Sequence, residues 1–248
     1  MKISVTFITL NSEKTLKPVL EAVSWADEII LVDSGSTDKT LEIAQQFKAK
    51  IVYRVFDGYG SQKNFATEQA SHDWILSLDD DEILTPELQK EIQDLDLKNT
   101  DYQGFKTPRS LIFLGKLLRF SGEYRRLTLR LFNRKYGNWN AEYVHESVEV
   151  KGKIGTLKNQ ILHDSYRDLT DFFNKFNKYT SLGAKTLAER GKTASSLKII
   201  SRFPTTFLKI YLLKGSCLDG YAGFMWALLT AINPVVKYAK LKEMSERK

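Results

Sequence analysis

The sequence predicts an α/β fold: a mostly parallel sheet with helices on both faces, followed by a basic helical extension. Strand and helix signals alternate through the first half of the chain. Two acidic turns, at 33–38 and 79–82, each come directly after an apolar run. Charge is unevenly placed, with 15 Lys+Arg against 6 Asp+Glu in residues 166–248 and 22 against 24 in residues 1–165. The domain reading follows that split: a catalytic-type α/β domain over 1–165 and a basic, amphipathic helical region over 166–248.

The elements follow in order. Residues 3–9 read as a strand, because a short apolar stretch broken by Ser and Thr, with no small-residue cleavage site after it, is not a signal peptide. Helical spacing runs from about Ser12 to Val23, a strand over 28–32, a helix from about Asp38 to Phe47, a strand over 51–55, a helix over 61–70 and a strand over 73–78. Thr37-Asp38-Lys39-Thr40-Leu41-Glu42 marks a helix start that Asp38 can cap. Thr85-Pro86-Glu87 marks another, with Pro in the first turn. Beyond Leu97 the pattern becomes hairpin-like, with strand runs at 104–108, 127–132 and 143–150. From Asp168, Leu169, Phe172, Phe173, Phe176, Tyr179, Leu182 and Leu187 recur at helical spacing up to Gly191.

At 248 residues and 42% hydrophobic content, the chain can bury a proper core and is not a disordered protein. The single Cys217 excludes a disulfide framework and a Cys-rich zinc site, and fits a reducing compartment on the cytosolic side. No repeat, P-loop or Gly-x-Gly-x-x-Gly fingerprint is present. In the basic third, Lys198, Arg202, Lys209 and Lys214 interleave with large apolar residues, as in helices that lie at a membrane surface. Residues 220–236 carry no charge but fall short of the roughly 20 residues a spanning helix needs, so they are expected to lie on or dip into a membrane. The other use of such a stretch is a core helix flanked by lysines.

The chemistry centres on Leu78-Asp79-Asp80-Asp81-Glu82, at the carboxyl end of a predicted strand, where open α/β sheets bind ligands. Adjacent carboxylates repel unless solvated, partly protonated or neutralised by a cation, and an oxygen-only cluster suits Mg²⁺ or Mn²⁺. Asp33 stands at a second strand end. Arg119, Arg125, Arg126, Arg130 and Arg134 lie between the hairpin runs, and Arg130 is the best candidate for an anionic substrate group. Period-two alternation over 143–150 places Glu146 on the face of Val144, Val148 and Val150, where burial would raise its pKa and suit it to accept a proton.

In their order, Thr9-Leu10-Asn11, Val32-Asp33-Ser34-Gly35-Ser36-Thr37-Asp38, Gly58-Tyr59-Gly60-Ser61-Gln62-Lys63-Asn64 and the Asp79-Asp80-Asp81 run resemble inverting family 2 glycosyltransferases of the Rossmann-like GT-A fold. Gly-x-x-Gln-Lys-Asn, Arg130-Leu131-Phe132-Asn133-Arg134, Val144-His145-Glu146 and Leu218-Asp219-Gly220-Tyr221-Ala222-Gly223-Phe224 narrow it towards bacterial lipopolysaccharide-core β-1,4-glucosyltransferases. The resemblance implies a nucleotide diphosphate sugar donor, UDP-glucose above all, and an inner-core heptose on a lipid-anchored acceptor. It implies a divalent metal, Mg²⁺ or Mn²⁺, and peripheral association with an anionic membrane at the cytoplasmic face, without nucleic acid. Thr9, Asn11, Asp33 and Lys63 would line the nucleotide pocket with Asp79 and Asp80, Asp79 facing the ribose. Asp81 would hold the metal and Glu146 act as base, with Arg130 and His145 towards acceptor or diphosphate. One departure is Ser34, where many family members carry a second acid, so nucleobase contact rests on Asp33.

Other readings of the same residues are transfer to a polyprenyl phosphate or another surface glycan, nucleotidyl transfer, and a non-enzymatic membrane-binding module.

Overall fold

The computed structural model describes residues 1–140, 146–166 and 168–246. The chain divides into two compact units: Met1–Arg109 with Arg125–His163, and Ser110–Tyr124 with Asp164–Lys248.

In the first unit, β1 (Ile3–Thr9), β2 (Glu28–Asp33), β3 (Lys50–Tyr53) and β4 (Trp74–Ser77) are parallel and lie in the order β3-β2-β1-β4. The apolar runs of β2 and β4 are continuous because the sheet is buried on both faces. Leu31, Trp74 and Leu76 point into one core with Val5, Phe7, Leu16, Leu20, Leu88 and Ile92. Their neighbours Ile30, Val32 and Ile75 point into the other with Ala66, Phe132 and Trp139. The first core is covered by α1 (Leu16–Glu21) and α4 (Pro86–Gln93), and the second by α3 (Tyr59–Glu68). The sheet continues through β8 (Arg126–Asn133), antiparallel to β4, then β6 (Tyr102–Phe113), β12 (Ile161–Tyr166) and β5 (Glu82–Leu84). Short strands β7 (Lys116–Leu117) and β11 (Lys153–Thr156) pair with β6 off this path, and β9 (Gly137–Trp139) pairs with β10 (Val148–Val150) as a separate ribbon.

Helix starts follow the sequence signals. Thr85 Oγ1 accepts the Leu88 amide ahead of α4, and the Asp38 carboxylate accepts the Thr40 amide at 3.0 Å ahead of α2 (Thr40–Gln46). Burial works against the Asp38 charge, but these hydrogen bonds hold its carboxyl below the usual range. The first helix is shorter than expected: Ser12 O closes a turn on Thr15 and Leu16, and regular helix begins only at Leu16.

The second unit is built on α5 (Leu169–Glu189), α6 (Ser196–Leu208) and α7 (Gly220–Glu246), with a π-helical turn at Lys209–Leu213 and a 3-10 turn at Ser216–Asp219. Asp168 caps α5, and Gly191 follows it at φ +67°, as the sequence suggested. The observed boundary departs from a cut at 165/166. Residues 110–124 belong to this unit because Leu111, Phe113 and Leu118 pack with Phe172, Ala222 and Leu229. Buried Asp219 fastens that hairpin, accepting the Arg119 and Phe120 amides at 3.1 and 2.9 Å, while Lys116 Nζ donates to its carbonyl at 2.7 Å.

The uncharged stretch 220–236 is the first part of α7; one face buries Ala222, Gly223, Ala227, Leu229 and Ala231 in the unit's own core, while Tyr221 and Phe224 are exposed. Among the described residues no helix is long and apolar enough to cross a membrane.

Gly223 permits the tightest approach in this unit. A Cβ there would lie 1.9 Å from the carbonyl oxygen of Ser216, whose hydroxyl donates to Gly223 O at 3.0 Å. Gly223→Ala is therefore expected to cost at least about 3 kcal/mol in urea denaturation, and a loss under about 1 kcal/mol would mean that the turn yields freely.

Candidate active site

Parallel pairing brings the carboxyl ends of β1, β2 and β4 to one edge of the sheet. Thr9 stands opposite Asp33 in register, and Leu78 continues β4 with its amide on Thr6 O, so the acid run begins just beyond that edge.

The centre is a buried ion network. Lys63, on α3, donates to Asp79 Oδ1 at 2.7 Å and to Glu146 Oε1 at 2.9 Å. Arg130 Nη2, on β8, donates to Asp79 Oδ2 at 2.7 Å and to Glu82 Oε1 at 2.6 Å. Arg109 Nη1 reaches the same Glu82 oxygen at 3.1 Å. Asp79 and Glu82 also exchange backbone contacts, the Asp79 amide donating to Glu82 Oε2 and the Glu82 amide to Asp79 O. Three cations thus balance three carboxylates, which is how buried charges are tolerated. Burial works against an ionised Asp79, but the Lys63 and Arg130 charges hold its carboxyl far below the usual range. Burial likewise opposes the Arg130 charge, which Glu82 and Asp79 outweigh, raising its pKa above the ordinary value.

Trp139 closes the network. Lys63 Nζ lies 4.4 Å from its ring centroid, within cation–π range. Asn64 fixes the Trp139 backbone from both sides, its Nδ2 donating to Trp139 O at 3.0 Å and its Oδ1 accepting the Trp139 amide at 2.9 Å. Gln62 Nε2 donates to Ser34 Oγ and to Arg54 O, each at 3.1 Å. The Gln62-Lys63-Asn64 motif therefore joins the β2 turn, the acid run and Trp139 through three successive side chains.

The β1 and β2 ends form a second group. Asp33 is buried and saturated by its own turn: it accepts Thr9 Oγ1 at 3.2 Å and the Gly35 and Ser36 amides at 2.8 Å each. Asn11 adopts φ +56°, its amide donating to Ser36 Oγ and its Oδ1 accepting the Thr37 amide, both at 2.9 Å. Asp80 Oδ2 accepts from Ser12 Oγ, which ties the acid run to this turn.

Asp81 Oδ1 lies 3.2 Å from His163 Nε2, on β12. Burial alone would lower the His163 pKa, but its hydrogen bond to Asp81 and the Asp81 and Glu82 charges raise it. Among the described residues no group of three or more His, Cys, Asp or Glu gathers as a complete metal cage. A hard cation such as Mg²⁺ needs only one or two protein carboxylates where substrate phosphates complete its shell. Both Asp79 oxygens are engaged by cations, and Asp81 meets the His163 imidazole, whose raised pKa favours the charged form.

The structure thus joins Lys63, Asp79, Arg130 and Glu146 directly, and groups Thr9, Asn11 and Asp33 at the neighbouring turn. His145 lies outside the described residues. The reading of Glu146 as a strand residue on an apolar face is corrected: β10 begins at Val148, and the Glu146 side chain meets the Lys63 ammonium. Glu82, Arg109, Trp139 and His163 were not singled out as site residues by sequence. Glu82 stood in the acid run, where only its pairing in β5 opposite His163 shows it to be buried; the other three carry no local signal.

A model of the family described as Glycosyl transferase family 2 matches residues 4–147. An uncharacterised glycosyltransferase of Rickettsia bellii is 32% identical, covering 98% of this chain and 87% of its own. The lipopolysaccharide core biosynthesis glycosyltransferase LpsC of Rhizobium meliloti is 30% identical, covering 97% and 92%. Among solved structures, glucosyl-3-phosphoglycerate synthase from Mycobacterium tuberculosis, in complex with Mn²⁺, UDP-glucose and phosphoglyceric acid, is 28% identical over 44% of each chain, with a TM-score of 0.39.

Removing Arg130 takes one cation from each of two carboxylates, leaving Asp79 to Lys63 alone and buried Glu82 to Arg109 alone. Arg130→Ala is expected to destabilise the fold by about 3–5 kcal/mol in chemical denaturation, and a loss below about 1 kcal/mol would show that the network is not held by this residue.

Proposed function

This chain belongs to glycosyl transferase family 2, and on that premise we propose that it moves a hexose, glucose from UDP-glucose, onto an inner-core heptose of a lipid-anchored lipopolysaccharide acceptor, with inversion. The fold is the α/β GT-A arrangement and the activity is glycosyl transfer. The core-biosynthesis assignment of the Rhizobium meliloti relative supports the choice of acceptor. The observation that carries the reading is the contact of Lys63 with both Asp79 and Glu146, which puts a donor-side acid and a proton acceptor on one ammonium.

Thr9, Asn11 and Asp33 shape the turn where the nucleoside is received, and Lys63, Asp79 and Asp80 complete the nucleotide pocket. Asp81 would hold a divalent cation, which when bound would supply Lewis-acid neutralisation of the leaving diphosphate. Glu146 takes the proton of the acceptor hydroxyl as that oxygen attacks the anomeric carbon from the face opposite the leaving group. A single displacement of this kind inverts the anomeric centre. Lys63 holds one oxygen of Glu146 and so fixes the carboxylate's direction. Arg130 orients Asp79 from its other oxygen, and its guanidinium places positive charge beside the acid run, on the side where an anionic substrate group would be met. The acceptor's lipid anchor requires the enzyme to work peripherally at the inner face of an anionic membrane.

Calorimetric titration with UDP-glucose, UDP, GDP and GDP-mannose, with Mn²⁺ or Mg²⁺ and again with chelator, tests the donor site. Metal-dependent binding of the uridine ligands is expected, and absence of nucleotide binding under every condition overturns the proposal. Asp81→Ala is expected to abolish metal-dependent turnover while the chain still folds with a cooperative melting transition; full activity in chelator would remove the metal from the reading. Glu146→Gln should lower transfer by about 10²–10⁴-fold while donor affinity is kept, whereas near-normal transfer places the base elsewhere.

A further inference from the structure

We propose that the outer face of α6 and of the π-helical turn after it is a docking surface for a bilayer containing anionic lipid. The inference deepens the membrane-acceptor reading above and rests on it for its biological purpose, though not for its geometry.

α6 buries none of its 13 residues. A helix of that length is marginal in water without an apolar face to cover, yet Leu197 is 77% exposed and Leu213, in the π-helical turn, is 84% exposed. Leu197, Ile200, Pro204 and Leu208 recur at helical spacing on one exposed face. The opposite side meets the unit's core: Ile199 packs near Leu241 and Ala184, and Ile210 is buried. The outward apolar row is therefore surplus to the packing of the unit, and contiguous exposed apolar surface of this kind marks an interaction site.

Charge decides the occupant. Residues 196–214 contain Lys198, Arg202, Lys209 and Lys214 and no acid. Around α6 the cations flank the apolar row on one side, and Lys198 and Arg202 are held over the Tyr238 ring of α7 at 4.8 and 5.3 Å. A second copy docking on the same face would oppose like charges. Anionic headgroups complement them, with the apolar row entering between acyl chains. No helix among the described residues is long and apolar enough to cross a membrane, and the proposed contact is interfacial.

The test uses the full chain and flotation with vesicles of phosphatidylcholine, with and without phosphatidylglycerol, across a salt series. The wild-type chain is expected to float with the anionic vesicles and to weaken as salt rises. The double variant Leu197→Ser, Leu213→Ser should lose at least about tenfold in partitioning, with an unchanged thermal transition. Lys209→Glu should lower binding to anionic vesicles only. Unchanged flotation of the double variant, or equal binding of the wild-type chain to neutral and anionic vesicles, overturns the proposal. So does a dimer in sedimentation velocity without lipid that the double variant disperses, since that identifies a second copy as the occupant. Flotation needs no sugar donor, so a failed nucleotide titration leaves it standing, and failed flotation leaves the titration untouched.

Discussion

The constraint on which the site depends is the charge balance around Asp79 and Glu82. Two carboxylates sit on the inner side of a turn, one of them fully buried, and neither is tolerable there unless cations meet it. Lys63, Arg109 and Arg130 supply that charge from α3, β6 and β8, three elements far apart in sequence. The same pairs that make burial bearable fix the direction of each oxygen. Orientation is thus a by-product of neutralisation, and a site assembled this way needs little reorganisation when a charged ligand arrives.

The sheet makes this balance possible. Because β1, β2 and β4 are parallel and covered on both faces, their ends share one edge and their positions are set by core packing rather than by the loops. β8 then runs antiparallel beside β4, which carries Arg130 back to the edge where Asp79 leaves it. Asn64 on α3 clamps the Trp139 backbone, so the aromatic wall moves only with the helix that carries Lys63.

Much of this was legible in the residues. Continuous apolar runs ending in acids located β2, β4 and their carboxyl ends, and Asp168 and Gly191 bracketed α5 to within a residue or two. Lys63, Asp79 and Arg130 were named from motif and charge type, and they touch. What escaped was everything set by long-range pairing. Glu82 looks like one more surface acid until β5 pairs with β12, and His163 meets Asp81 across 82 positions of chain. Glu146 was misplaced because alternating residues imitate a strand that begins only at Val148. The uncharged run at 220–236 suggested lipid; its small residues such as Ala222 and Gly223 serve close helix packing while Tyr221 and Phe224 stay exposed, and a further exposed apolar row lies on α6.

The hairpin at 110–124 carries a consequence for how the chain comes to be folded. Its Leu111, Phe113 and Leu118 are core residues of a unit whose other members, Phe172, Ala222 and Leu229, are made much later on a ribosome. During synthesis those side chains wait without partners, and closing the intervening loop adds an entropic barrier that grows only slowly with its length. A fragment ending near residue 165 keeps that vulnerability permanently, with an apolar hairpin left in water. The natural dividing line between the units is consequently not a point in the sequence, and separating them needs three cuts, after residues 109, 124 and 163, with the pieces of each unit rejoined.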